Sequence, residues 1–85
     1  LTIQICAEVL RSIHFVGKNS DHVTPYQVER NVGLAHARLK EILRQLEEEG
    51  LVDAAMHVTN KGYAFLGDFT SKIAPLLEKY GFLRT

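Results

Sequence analysis

The stretch from Thr24 to Gly62 limits what this chain can fold into more than any other. Thr24-Pro25-Tyr26-Gln27 opens a helix. The Thr24 hydroxyl suits the free backbone N–H groups there, Pro25 sacrifices no hydrogen bond at a first helical position, and Gln27 completes a capping box three residues on. This helix runs about two turns, to about Asn31, with Tyr26 and Val28 among its inward contacts. Asn31-Val32-Gly33-Leu34 then turns the chain, because Gly33 takes positive φ without steric cost and Leu34 plugs the space between two helices. A longer helix is expected from about Ala35 to Glu49. Ala35, Leu39, Ile42, Leu43 and Leu46 share one stripe, with His36, Ala37, Lys40, Glu41, Arg44 and Glu48 opposite. Gly50 stands where a left-handed residue ends a helix.

Leu51 and Val52 suit a short strand. Asp53-Ala54-Ala55 leaves room only for a turn, and Met56, His57 and Val58 can return antiparallel. Such a minimal hairpin must lean on its neighbours. Thr59 caps a last helix from about Asn60, whose apolar stripe holds Phe65, Leu66, Phe69, Ile73, Leu76, Leu77 and Tyr80. Pro75 interrupts it, removing a donor and clashing with the preceding turn at a cost of roughly 3 kcal/mol in a regular helix interior, so a kink or break is expected near Ser71 to Ala74. Before the central stretch, Ile3, Cys6, Val9, Leu10 and Ile13 recur at helical spacing. They predict a first helix from Leu1 to about Phe15, ended by Gly17 and a polar loop through Asp21.

The order of elements predicts a mainly α fold with a minimal β-hairpin wing, a winged helix-turn-helix whose third helix enters the DNA major groove. Residues 1–59 would form the helix-turn-helix core with its wing. Residues 60–85 would be a C-terminal helix of the same domain, the dimerisation element.

Composition narrows the function classes. The chain has 85 residues, enough for one domain with one modest core. No apolar stretch is long enough to cross a bilayer, and Leu1 to Gly17 lacks the pattern of a signal peptide. The single cysteine, Cys6, cannot form an internal disulfide and sits among apolar neighbours, which suits an inert buried thiol and a cytoplasmic setting. His14, His22, His36 and His57 show no ligand spacing with Cys6, so no metal is expected. Ser12, Ser20 and Ser71 lie in no nucleophile motif, and no glycine-rich phosphate loop is present, Gly62 and Gly67 reading as helix-packing glycines. An enzyme, a cofactor and a small-molecule ligand are therefore not expected.

Ten basic and ten acidic residues cancel, which argues against indiscriminate nucleic-acid binding. Their distribution is uneven: Arg38, Lys40 and Arg44 precede Glu47, Glu48 and Glu49 on one helix. Lys40 and Arg44 read either as a phosphate clamp or as solubilising partners of Glu41, Glu47 and Glu48. His36 reads either as a base or phosphate contact or as an ordinary exposed residue. The Phe65–Tyr80 stripe reads as core, partner surface or both.

The segment "VGLAHARLKEILRQLEEEGLV", followed by "VTNKG" and an apolar helix, resembles the small prokaryotic winged helix-turn-helix transcriptional regulators. The resemblance is nearest to the archaeal-type subset with a short wing and a long C-terminal helix that pairs two subunits. It implies a homodimer that binds double-stranded DNA. His36, Ala37 and Lys40 would face the major groove, and Arg38 and Arg44 would reach phosphates or guanine edges. His57 and Lys61 would touch the backbone or minor groove beside the wing. Phe65, Phe69, Ile73, Leu76, Leu77 and Tyr80 would form the dimer interface. The chain departs from the pattern in a wing without a basic tip and in Pro75. The rival reading is a protein-interaction module of the same fold that never touches DNA.

Overall fold

The computed structural model describes residues 2–83. The expected helical start at Leu1 and the final Arg84 and Thr85 of the 60–85 unit lie outside the described residues. Helix α1 spans Thr2–Asn19, α2 Pro25–Val32 and α3 His36–Glu48. Helix α4, Asn60–Asp68, continues through a π turn at Phe69–Ile73 into α5, Ala74–Lys79.

Three apolar stripes meet in one core. Val9, Leu10 and Ile13 come from α1, Val28 from α2, and Leu39, Ile42 and Leu46 from α3, with Val52 closing the cluster. Each is 4% exposed or less, and each such side chain stabilises the fold by about 1.5–3 kcal/mol relative to exposure. The turn between α2 and α3 forms as the sequence predicts. Thr24 Oγ1 accepts from Gln27 N at 3.3 Å and Gln27 Oε1 accepts from Thr24 N at 2.9 Å. Gly33 takes φ 72° and its N–H donates to Glu29 O.

Several expectations are corrected. Helix α1 passes through Gly17 to Asn19, whose Nδ2 donates to Phe15 O at 2.9 Å; the helix-breaking tendency of one glycine yields to tertiary packing. Tyr26 does not point inward but is 65% exposed, its ring facing the Arg30 guanidinium at 5.8 Å. Ala35 is off the buried stripe and serves as the exposed N-cap of α3. Gly67 packs against nothing, since a Cβ there would meet open space.

The largest correction concerns the wing. Among the described residues there is no β-strand; Val52 and Val58 make one isolated antiparallel bridge. The mainly α description holds and the winged one does not. The cause is Asp53. Its N–H donates to His57 O at 2.9 Å, as a hairpin requires. The returning bond is diverted, however: His57 N and Ala55 N both donate to Asp53 Oδ1, each at 2.9 Å. The Asp53 carbonyl accepts instead from Met56 N at 3.1 Å. A side-chain carboxylate thus substitutes for the next ladder carbonyl and closes a tight loop. Closure forces Met56 to φ 60°, a left-handed conformation that costs about 1–2 kcal/mol for a residue with a Cβ.

This 51–58 loop is clasped between α3 and α4. Thr59 Oγ1 donates to Gly50 O at 2.6 Å and accepts from Gly62 N at 3.1 Å, and Lys61 Nζ donates to Glu49 O at 2.6 Å. The first turn of α4 lies so close to the loop that a Cβ on Gly62 would collide with the Leu51 carbonyl oxygen and come within 2.7 Å of Val58 Cγ1. Glycine is required there by space, not by backbone angle.

The disturbance expected before Pro75 is a wide turn rather than a break. Ala74 N–H reaches back five residues to Phe69 O. The widened turn relieves the contact between the proline ring and the preceding backbone. The Ser71 hydroxyl donates to Gly67 O at 2.8 Å, giving a carbonyl of the preceding turn a partner. Beyond this point α5 contributes no buried residue. The radius of gyration is 12.7 Å, against about 12 Å for a compact chain of this length.

Candidate nucleic-acid interface

Helix α3 is held by its leucine side and open on the other. Helical geometry opposes Ala37, Arg44 and Glu48 to the buried Leu39, Ile42 and Leu46, with Lys40 on one shoulder and Glu41 on the other. His36, Ala37, Arg38, Lys40 and Arg44 are all exposed. They do not form a uniform basic surface. Arg44 Nη1 donates to Glu48 Oε1 at 2.7 Å, an i,i+4 pair whose side chains are 59% and 62% exposed. An exposed pair of this kind contributes only about 0.3–0.5 kcal/mol, so a phosphate can compete for the guanidinium. His36 Nδ1 lies 3.0 Å from Glu29 Oε2, which ties the start of α3 to α2. Arg38 stands on the flank nearer α1. Burial raises the Cys6 thiol pKa, and the positive charge of Arg38 acts in the opposite direction, so the two are neighbours. Neither Arg38 nor Lys40 makes an ion pair among the described residues.

The N-terminal ends of the helices differ. Thr24 and Thr59 cap α2 and α4 with their side chains, but Ala35 gives α3 no side-chain bond. The first N–H groups of α3 therefore stay available at the positive end of the helix dipole. Sequence reasoning placed Ala35 on the buried stripe and so missed this. It also missed Arg30, although the i,i+4 spacing from Tyr26 is the signal for such a cation–π neighbour.

The remaining site residues fall in two places. His57 is exposed on the 51–58 loop, its Nδ1 3.4 Å from Asp53 Oδ2. Hydrogen bonds from the backbone N–H of His57 chiefly, and then of Ala55, hold the Asp53 carboxyl below its ordinary pKa. Lys61 is spent in part on Glu49 O, though an ammonium keeps further donors. The expected interface stripe splits in two. Phe69 is withdrawn from any outer face, being 2% exposed and covered by the Arg11 guanidinium at 5.6 Å. Phe65 packs beside it at 6.2 Å between ring centres. Ile73 and Leu77 are half-buried. Leu76, Tyr80 and Phe82, the last absent from the expected set, are 56%, 66% and 63% exposed.

No protein-family model, curated protein or solved structure matches the chain. Among the described residues no helix is long and apolar enough to cross a membrane, and no three of His, Cys, Asp and Glu gather as a metal set.

Proposed function

We propose that this chain binds double-stranded DNA through the outer face and first turn of α3, acting as a homodimer that regulates transcription in the cytoplasm. It is the function of the prokaryotic regulators that the 32–62 segment resembles. The observation that supports it best is an α3 docked by Leu39, Ile42 and Leu46 while His36, Ala37, Lys40 and Arg44 stay in solvent. In this reading Lys40 and Arg44 neutralise phosphates, the uncapped amides of α3 receive another, and Ala37 lets the helix approach base edges closely. Arg38 serves the flank, and His57 and Lys61 reach the backbone from the 51–58 loop and the start of α4. Leu76, Leu77, Tyr80 and Ile73 supply the subunit contact, since exposed apolar area of this kind marks interfaces.

The test is duplex binding across a salt series, first on a random pool. Replacing Lys40 and Arg44 together by Ala should weaken binding and reduce the slope of log K against log salt by about 2. An unchanged slope with the fold intact rules out α3 as the binding face. Sedimentation at tens of micromolar should give a dimer; a monomer removes the subunit contact.

A second reading, a protein-interaction module without DNA binding, is favoured by one observation. The Arg44–Glu48 and His36–Glu29 contacts occupy two of the side chains that DNA would need. Absence of any duplex binding at low salt decides for it.

A further inference from the structure

We propose that the hollow between α1, the 51–58 loop and α4 is a binding site for a small organic anion, a carboxylate carried on a flat apolar body. The hollow measures about 210 Å³, smaller than the roughly 300–1,000 Å³ of drug-sized sites. Its walls carry two chemistries. Ile13, Val23, Met56 and Val58 give it an apolar side. Lys18, His14, His57 and Tyr63 give it a polar side.

The polar side is built to donate. No carboxylate lines the hollow, and Lys18 has no ion-pair partner among the described residues. The nearest acid along the loop, Asp53, is already engaged by two backbone N–H groups and by His57. His14 Nδ1 and the Tyr63 hydroxyl are 2.8 Å apart, their rings edge-on at 89°. With a neutral imidazole this couple always keeps one donor free. If Tyr63 donates to Nδ1, the imidazole Nε2–H remains; if Nδ1–H donates, the phenol O–H remains. A lysine ammonium and that donor suit the two oxygens of one carboxylate.

The loop side of the hollow is held rigidly. Met56 is the one non-glycine residue at positive φ among those described, and it lines this hollow. The Asp53 loop holds it there, which fixes the Met56 side chain against the hollow. The apolar side argues against a bare inorganic ion, which would leave four hydrophobic side chains unused. The site shares only His57 with the nucleic-acid reading and does not rest on it, because Lys18, His14 and Tyr63 lie outside that face.

Benzoate is the probe, with benzamide as its neutral isostere and inorganic phosphate as the bare anion. Each is titrated into the full chain while backbone amide shifts are followed by NMR. Benzoate should give saturable shifts confined to the amides of Gly17, Lys18, His57, Val58 and Tyr63. Benzamide and phosphate should each bind at least about fivefold more weakly, and Lys18→Gln should weaken benzoate by about fivefold, the loss expected for one partly exposed charge contact. Lys18 is exposed, so the variant keeps the fold, and its unperturbed amide spectrum elsewhere verifies this. The proposal is overturned if benzoate gives no saturable shifts at these amides, if benzamide or phosphate matches it, or if Lys18→Gln leaves its affinity unchanged.

Discussion

Leu39 on α3 and Leu76 on α5 hold similar places in their sequences, each one member of a helical apolar stripe. Leu39 is 1% exposed and Leu76 is 56% exposed. The same contrast divides the molecule. Up to Phe69 the helices share a sealed core; past it α5 has no buried residue at all. Periodicity reports that a face is apolar, but not what covers it. In α1 to α3 the cover is the chain itself, drawn together by short, well-specified turns. From α5 onward Leu76, Tyr80 and Phe82 stay largely in solvent, only the Lys79 ammonium coming within 5.5 Å of the Tyr80 ring among the described residues.

Truncating the two leucines is the strongest way to break this comparison. Leu39→Ala should destabilise by about 2–5 kcal/mol through lost burial and a cavity. Leu76→Ala should change monomer stability by less than about 0.5 kcal/mol. Urea melts at low protein concentration measure both, and a large loss at Leu76 would show that the tail is covered by its own domain. The glycines of α4 make the second contrast. Gly62→Ala should cost about 2 kcal/mol or more, because the new methyl has no room beside Leu51 and Val58. Gly67→Ala, in open space, should stabilise by about 0.5–1 kcal/mol by favouring helical backbone. Thermal melts of the pair give the sign of each.

A third change sharpens the contrast between closed and open helix ends. Ala35→Ser should add about 1 kcal/mol by capping α3. It should also weaken duplex binding, since the new hydroxyl competes for the amides offered to a phosphate. A gain in both stability and affinity would remove those amides from the proposed interface. The smallest effect is in the loop. The Asp53 pKa is depressed on folding, so its contribution is complete above the ordinary aspartate value of about 3.9 and fades as pH falls through the lower folded value. Asp53→Ala should abolish that acid-side loss, read by comparing melts at neutral pH with melts below pH 4.

Local chemistry explains what was legible in the sequence. The capping box at Thr24 and Gln27, the turn at Gly33 and the buried side of Leu39, Ile42 and Leu46 each follow from a few adjacent residues, and the structure reproduces them. Sequence reasoning failed where a side chain competed with the backbone or where contacts spanned the chain. Asp53 captured the His57 amide that a hairpin ladder would have used, so strand propensity at Leu51, Val52 and Val58 yielded only one bridge. The contact of the Lys61 ammonium with the Glu49 carbonyl, twelve residues away at the end of α3, had no signal in the sequence. Gly17 reads as a terminator in isolation, but α1 continues past it. The helix carrying the interface stripe from Phe65 to Tyr80 was expected to be disturbed near Ser71 to Ala74, but not to widen into a π turn that keeps it continuous.

That wide turn makes the orientation of the tail depend on how many residues it holds. A π turn spends one residue more than an α turn, and one residue corresponds to about 100° around the helix axis. Were the same residues at positions 69–73 to follow a regular α path, Leu76 and Tyr80 would therefore swing about a quarter of the way round, without altering any side chain. Which surface the protein presents at that end is set by where a count of residues falls, independently of how hydrophobic those residues are.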